Sequence, residues 1–276
     1  MMAKFADHME KIAEGVTEWL PISSTGHLIL LNEFVNLKVS EEFQSMFDVV
    51  IQLGAILAVI VLFFHKLNPF SLTKTPGEIK QTWLLWFKVI AAIIPSGVVG
   101  VLFDDWMDEH LHNGTVVSIA LIVYGIAFIL AERRKQGKHQ KIVKDVHAID
   151  FRTAIAIGLF QCLSLVPGTS RSGSTILGAI MLGVGRSAGA EFSFFMAIPT
   201  MLGASAIKGL KFLLSGASAG MNEILILAVG CVVSFLVSLL VIRALMDYVR
   251  RHSFAAFGVY RIILGAIVLA YFLIFA

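Results

Sequence analysis

The sequence predicts an all-α membrane protein that crosses the bilayer several times. Hydrophobic residues make up 57% of the 276 residues, charged residues make up only 15%, and the mean hydropathy is +0.84. A soluble domain is about half apolar and about a quarter charged. We therefore expect one integral membrane domain over 1–276, with membrane lipids as its surroundings and no nucleic-acid partner.

The apolar residues gather into runs of the length that a membrane span requires. A helix needs roughly 20 predominantly apolar residues, rising about 1.5 Å each, to cross the hydrocarbon core. Six runs qualify, one of them interrupted by Pro199. The expected full spans are 46–64, 83–103, 115–131, 192–214, 224–242 and 254–275.

Basic residues alternate between loops, which predicts the orientation because lysine and arginine are retained on the cytoplasmic side. We expect cytoplasmic loops at 66–80, 132–152 and 243–251. The acidic loop 104–109 contains no lysine or arginine and is expected to face outward. The run 132–152 is interpreted as a solvated loop that sets the topology, in preference to a specific lipid or protein site.

The two halves of the chain share a weak internal repeat. A shift of 149 residues superimposes Leu-Gly-Ala at 53–55 on the same tripeptide, and a shift of 146 aligns Pro21 with Pro167 and Ser24 with Ser170. The charge pattern ends the first repeat inside and the second outside, so the repeats are expected to have inverted topology. The expected divisions are about 10–64 for repeat one, about 152–214 for repeat two, and about 83–131 and 224–275 for the remaining spans.

A polar motif that follows a proline lies in each repeat between two apolar runs that are too short to cross the membrane. Irregular backbone at that depth is tolerated only where it lines a cavity. We therefore expect two re-entrant helical hairpins, with tips at Pro21 and Pro167, that meet near the bilayer midplane.

The second tip, PGTSRSGST at 167–175, has the composition of a phosphate site. Arginine at the bilayer centre costs about 3 kcal/mol unless a polar cavity or partner faces it. A guanidinium, several hydroxyls and a helix N-terminus together suit an anion. The expected substrate-binding residues here are Gly168, Ser170, Arg171, Ser172 and Thr175. The alternative is a cytoplasmic loop of small residues that pack between helices.

The first tip, EGVTEWLPISSTGH at 14–27, carries the candidate reactive groups. Glu14 and Glu18 lie on one helix face and would repel a phosphate unless a divalent cation, Mg²⁺ or Ca²⁺, stands between them. His27 follows Ser24 by one helical turn, in reach as general base or acid. The expected catalytic residues are Glu14, Glu18, Ser24, His27 and Arg171, with Ser23 and Thr25 binding substrate and Glu14 and Glu18 binding metal. The alternatives are an interfacial amphipathic helix and a structural histidine.

Three patterns, E-x-x-x-E at 14–18, P-x-S-S-T-G-H at 21–27 and P-G-x-S-R-S-x-x-T at 167–175, stand in the order and spacing of a known family. Together with Tyr260-Arg261 they resemble the bacitracin-resistance type of undecaprenyl pyrophosphate phosphatase over essentially the whole chain. The resemblance implies a bacterial plasma-membrane enzyme that hydrolyses undecaprenyl diphosphate to the monophosphate. This reaction recycles the lipid carrier of cell-wall synthesis and gives bacitracin resistance.

The resemblance also implies that the pocket opens to the outer face, and it assigns family roles to the tip residues named above. We place the diphosphate on Arg171 and on a cation held by Glu14 and Glu18. Either Ser24 or a water attacks the terminal phosphorus, and His27 handles the proton. The substrate would be a polyprenyl diphosphate lipid, and a homodimer is compatible with the sequence.

The main alternative function is a transporter or flippase of lipid phosphates, because inverted repeats with broken helices are transporter architecture. A carrier has less use for two glutamates and a histidine beside a serine. A scaffolding protein would leave the cost of the charged tip residues unexplained. The roles of Gln52 and Arg261, both expected within spans, stay open.

Overall fold

The computed structural model describes residues 15–24, 26–27, 46–47, 49–111, 113–135, 142–215 and 220–275. Within these residues the fold is all-helical, and its only strand-like feature is an isolated bridge between Val143 and Val184. The helices are α1 Gln52–Leu62, α2 Phe64–Leu67, α3 Pro76–Leu111, α4 Gly114–Lys135, α5 Phe151–Cys162, α6 Arg171–Met181, α7 Arg186–Leu214, α8 Met221–Arg251 and α9 Ala255–Phe275. The predicted all-α class is therefore confirmed.

Five helices of the described chain are long and apolar enough to cross a membrane, against the six that were expected. They are α3, α4, α7, α8 and α9. The expected span 46–64 instead contains α1, whose 11 residues cover roughly 17 Å of a hydrocarbon core about 30 Å thick. Before α1 the backbone of Ile51 is helical and its amide donates to the Phe47 carbonyl at 3.0 Å, whereas the non-helical backbone of Phe63 ends α1. In contrast, α7 continues through Pro199 as one helix of 29 residues.

The long helices carry apolar side chains on their exposed faces as well as on their buried faces. On α8, Leu225, Leu236 and Leu240 are all more than half exposed. A helix that is apolar all round belongs in the core of a large protein or in a membrane. The five helices and their exposed apolar faces make this a multi-pass membrane protein.

Glycines lie where the most extensively packed helices cross. A Cβ at Gly125 of α4 would stand 2.6 Å from the carbonyl oxygen of Gly258 in α9, and a Cβ at Gly258 would stand equally close to that of Gly125. In the same way, a Cβ at Gly54 of α1 would clash with Cys231 of α8, and one at Gly158 of α5 with Ala92 of α3. Small residues let membrane helices approach closely, so these sites set the backbone spacing of the bundle.

Helices α5 and α6 form a hairpin of two short helices. Asp150 caps α5 by accepting a hydrogen bond from the Thr153 amide at 2.7 Å, and its bonds with Thr153 lower the pKa of the Asp150 carboxyl. A 3₁₀ turn at Leu163–Leu165 then leads into Pro167, where the chain reverses before α6 begins at Arg171. The Gly185 amide after α6 donates to the Val143 carbonyl before α5, at 2.7 Å. The segments that enter and leave the hairpin are therefore hydrogen-bonded to each other.

Ion pairs of two buried carboxylates tie the ends of the helices to the bundle near the basic loops. Arg186, at the start of α7, binds both carboxylate oxygens of Glu132 near the end of α4, at 2.6 and 2.9 Å. Lys66 of α2 pairs with Glu191 of α7 at 2.6 Å. Glu132 is 2% exposed, and it also accepts from the Phe254 amide. Each buried carboxylate is therefore paired, as burial of a charge requires.

Candidate active site

The two tips meet inside the bundle. The hydroxyl of Ser172, at the start of α6, donates to the Glu18 carbonyl at 3.0 Å, and the Leu20 carbonyl lies 3.2 Å away. Ser172 is fully buried. The sequence assigned this serine to the substrate, whereas the structure uses its hydroxyl to join the backbone of the first tip to the second.

Ser23 and Ser170 share an unusual φ and a capping hydrogen bond at the two tips. They are the two non-glycine residues with positive φ among the described residues, at 73° and 69°. Each hydroxyl accepts a hydrogen bond from an amide three residues on, Gly26 at 3.3 Å and Gly173 at 3.2 Å, which caps the helix that follows. A positive φ at serine costs of order 1–3 kcal/mol and is concentrated at functional sites.

This match corrects the expected register of the two motifs by one residue. The sequence alignment paired Ser24 with Ser170, but the structural equivalent of Ser170 is Ser23. The first tip has one residue fewer between its proline and its capping serine, and the start of the helix decides the equivalence. Ser24 therefore occupies the position that Arg171 occupies in the second tip.

Glu18 and Arg171 form the central ion pair of the site. The Arg171 Nη2 donates to Glu18 Oε1 at 2.9 Å, and the two side chains are only 11% and 8% exposed. The second guanidinium nitrogen, Nη1, donates to the Ser193 carbonyl of α7 at 3.0 Å. The Arg171 Cζ lies 5.5 Å from the centre of the Trp19 ring, in cation–π contact. The arginine is thus held on three sides with its charge balanced by the first tip.

The Ser24 hydroxyl donates to the other oxygen of the same carboxylate, Glu18 Oε2, at 3.1 Å. Glu18 therefore connects a candidate nucleophile of the first tip to the candidate phosphate ligand of the second. Ser24 is half-buried. A carboxylate that accepts from a hydroxyl is placed to take its proton.

His27 is engaged through both ring nitrogens. Nδ1 lies 2.7 Å from the Ser23 carbonyl oxygen, and Nε2 lies 2.7 Å from the hydroxyl of Tyr260 in α9. A carbonyl oxygen only accepts, so Nδ1 carries the hydrogen and neutral His27 has its free lone pair on Nε2. The sequence spacing suggested that Ser24 and His27 act together. In the structure Ser24 instead contacts Glu18, and His27 contacts Tyr260.

Arg261 fastens the backbones of both tips to α9. The side chain is fully buried, and its Nη1 donates to the Pro21 carbonyl at 3.1 Å. Its Nη2 donates to the carbonyls of Gly168 and Thr169 at 2.8 and 2.9 Å. The sequence required a partner for this arginine without naming one, and the partners are carbonyls of both tips.

The remaining predicted residues fall into four groups. Thr175 shares a 2.6 Å hydrogen bond with the Ser193 hydroxyl and also donates within its own helix, so it holds α6 to α7. Gly168 has φ +89°, and a Cβ there would meet the Val117 carbonyl, so its place at the turn requires glycine. Glu14 and Thr25 lie outside the described residues. Gln52 begins α1 and is partly buried, and its role stays a prediction.

Trp19, Ser193 and Tyr260 contribute contacts that the sequence did not identify. Trp19 directly follows Glu18 in the first motif, so its nearness to the site was available from the sequence. Ser193 follows the ion-paired Glu191 on α7 and supplies only a backbone carbonyl to Arg171. A contact made by a backbone atom does not depend on the residue type, so no sequence pattern predicts it.

The donors at the first tip fit a hard divalent cation in chemical type. Glu18 supplies a buried carboxylate, and each of its oxygens has a second lone pair beyond the hydrogen bond it accepts. Within the described residues, no three His, Cys, Asp or Glu side chains lie together as a metal site. The second expected carboxylate, Glu14, is not among those residues.

A family model described as Bacitracin resistance protein BacA matches residues 11–267, a range that includes both tips and the nine helices of the described residues except the end of α9. The chain belongs to this family. Undecaprenyl-diphosphatase 1 of Clostridioides difficile is 57% identical over 262 residues, or 95% of this chain and 93% of that protein. Undecaprenyl-diphosphatases of Limosilactobacillus fermentum and Enterococcus faecalis are 56% and 53% identical, and the matches cover 96% and 95% of both chains. The predicted family is confirmed.

Proposed function

We propose that this protein hydrolyses undecaprenyl diphosphate to undecaprenyl phosphate and inorganic phosphate where the two tips meet. The observation that carries the proposal is the Glu18 carboxylate, which pairs with Arg171 at 2.9 Å and accepts from Ser24 at 3.1 Å. One buried group thereby links a hydroxyl nucleophile to a cation suited to phosphate. The names of the relatives in this family supply the substrate.

The membrane placement that we propose makes the hairpin α5–α6 re-entrant. Each helix covers roughly 17 Å, well short of the core, and the contacts between Val143 and Gly185 bring its two ends together. These ends lie beside Arg186, which pairs with Glu132 next to the basic residues Arg133 and Arg134 of α4, so the hairpin would enter from the cytoplasmic side. The first tip would approach from the opposite side as its inverted counterpart, with the site opening outward from a bacterial plasma membrane.

The chain's own residues suggest how the diphosphate is bound and cleaved. Arg171 and the free amides at the start of α6 would hold the phosphate oxygens, and the helix dipole favours negative charge there. Glu18 accepts the proton of the attacking hydroxyl, from Ser24 or from a water in its place. The new bond forms at the terminal phosphorus, the bridging P–O bond breaks, and the lipid monophosphate leaves. If Ser24 attacks, a water then hydrolyses the phosphoserine and releases inorganic phosphate, while Glu18 returns its proton to Ser24. In either case His27 accepts a further proton of the reacting water at Nε2 and passes it to the product phosphate.

A divalent cation completes the proposal. Glu18, with Glu14 one turn before it in the sequence, would hold Mg²⁺ or Ca²⁺. The bound ion would neutralise phosphate charge as a Lewis acid. Arg171 already balances the charge of Glu18 in the described site, so a second carboxylate is needed to make a cation site of net negative charge.

The test is phosphate release from undecaprenyl diphosphate by purified protein, with and without chelator. We expect chelator-sensitive turnover that is lost in Glu18→Ala and Arg171→Ala. Matched controls are Glu109→Ala and Arg250→Ala, which remove exposed charges far from the tips in sequence and are expected to retain turnover. Full turnover in both site variants would contradict the location of the site.

The nucleophile is decided by rapid quench of the wild type. Covalent attack by Ser24 leaves a phosphoserine that is trapped and absent from Ser24→Ala, whereas attack by water leaves none. A folded wild type that binds the lipid diphosphate, releases no phosphate and moves the lipid between leaflets would instead indicate the transporter. These three outcomes exclude one another.

A further inference from the structure

Tyr260 and Arg261 are neighbours on α9, yet they contact different parts of the site. Arg261 binds tip carbonyls, whereas Tyr260 contacts a reactive side chain. The Tyr260 hydroxyl lies 2.7 Å from His27 Nε2. The two rings are also nearly parallel, with 6° between their planes and 5.7 Å between their centres. The tyrosine therefore restrains both the position and the plane of the imidazole.

The two hydrogen bonds of His27 have different chemical requirements. The Ser23 carbonyl at Nδ1 can only accept, so Nδ1 carries a hydrogen in both the neutral and the charged ring. Nε2 is thus the nitrogen that gains and loses a proton. A tyrosine hydroxyl can donate to a bare Nε2 and can accept from a protonated one. It is the kind of partner that remains bonded in both states.

We propose that Tyr260 is a positioning residue for phosphate release, which keeps the His27 imidazole in one orientation while Nε2 changes its protonation. This inference rests on the proposed function. With neutral His27, the Tyr260 O–H donates to Nε2. When Nε2 gains a further proton of the reacting water, after Glu18 has taken the proton of the attacking group, the hydroxyl rotates and accepts from Nε2–H. The rotation reverses when that proton passes to a product phosphate, so Tyr260 itself neither gains nor loses a proton.

The geometry also predicts what the hydroxyl contributes apart from the ring. Removing the hydroxyl leaves the stacked ring in place, so His27 keeps its neighbour but loses the directional bond at Nε2. A group displaced by about 1 Å from its productive geometry can lose of the order of a hundredfold in rate. Substrate binding through Arg171 does not pass through Tyr260.

The experiment compares Tyr260→Phe with Tyr248→Phe. Tyr248 is a matched control because it also stacks on a histidine, His252, with 17° between the rings and 4.6 Å between their centres, at the far end of α8. We expect Tyr260→Phe to lower kcat by about tenfold or more with KM unchanged. Tyr248→Phe should leave both constants unchanged. Thermal unfolding of both variants shows that each is folded.

A double-mutant cycle then separates positioning from a general structural role. Since general acid–base groups contribute about 10²–10⁴-fold, turnover in a His27→Ala background remains measurable in single-turnover assays. A residue that acts through His27 costs nothing once His27 is absent, so Tyr260→Phe should have no further effect there. An equal loss in both backgrounds, an unchanged kcat, or a change in KM alone would overturn the inference. Absence of turnover in the wild type would instead defeat the proposed function.

Discussion

Ser23, in the first tip, and Ser170, in the second, share an unusual value of the backbone angle φ. Both have positive φ, 73° and 69°, and both cap the following helix through their hydroxyls. Because serine rarely adopts positive φ, each tip retains a strained residue next to its reactive side chain, Ser24 or Arg171. The cap and the strain act in opposite directions on stability, and they can be measured separately.

Substitution of Ser170 by alanine should destabilise the protein more than substitution by glycine. Alanine loses the cap and keeps the strained φ, whereas glycine loses the cap and relieves the strain, so we expect a difference of about 1 kcal/mol or more. The free energy of unfolding in detergent measures it. Asp150 is the control, since this cap has φ −82° and its glycine variant gains nothing from relief of strain. Equal effects at Ser170 would show that its backbone is not strained.

Loss of Glu18 alone should harm stability more than loss of both members of its ion pair. Glu18→Ala leaves the largely buried Arg171 charge without its carboxylate. Breaking a fully buried pair costs about 3–5 kcal/mol, and this range is the upper bound for a pair that keeps slight exposure. The double variant Glu18→Ala/Arg171→Ala removes both charges and should recover part of this loss. Unfolding of the two variants in the same detergent compares them.

The exposed pair of Asp247 with Arg250 provides the contrast. The same two substitutions there should change the free energy of unfolding by only about 0–1 kcal/mol. Additive effects at Glu18 and Arg171 would mean that the two side chains do not interact in solution.

Arg261→Lys should reduce both activity and stability even though the charge is kept. A lysine ammonium cannot reproduce the planar fork that donates to Pro21 in one tip and to Gly168 and Thr169 in the other. We expect at least about a tenfold fall in kcat/KM, because displacement of the tips misaligns the reacting groups. Arg250→Lys, at an exposed arginine, is the control and should behave as the wild type. A fully active Arg261→Lys would show that the tips hold together without this residue.

Glu132→Gln should lower stability without changing the chemistry. Glu132 binds Arg186 and the Phe254 amide at the helix ends and has no contact with the tips in the described structure. Loss of the buried charge pairing should cost roughly 3 kcal/mol, while kcat per folded molecule stays at its wild-type value. Thermal unfolding and phosphate release on the same preparation provide both numbers. A fall in kcat at full stability would indicate coupling between this ion pair and the site.

The sequence identified the membrane class, the family and the two polar motifs, because these depend on local composition and order. It was less accurate wherever helix breaks or packing decide. The run 46–64 is predominantly apolar, yet the non-helical backbone of Phe63 ends α1, which has only 11 residues. The alignment of the motifs was one residue out because a proline is a weaker marker of equivalence than the start of a helix. The bond of the Thr175 hydroxyl to Ser193 on a neighbouring helix was not predicted, and the assignment of Thr175 to phosphate stays a prediction.

By itself, the sequence predicted which residues are reactive and that the charged ones must be shielded from lipid, because a charge in hydrocarbon needs a partner. The tertiary structure decided which partners they have. Arg171 pairs with Glu18 across 153 residues of chain, and His27 meets Tyr260 across 233. Such contacts depend on how helices cross, which the glycines at the crossings and the buried fork of Arg261 set in three dimensions. The periodicity of hydrophobic residues and the spacing within a motif describe one segment at a time. They therefore do not predict which segments contact each other.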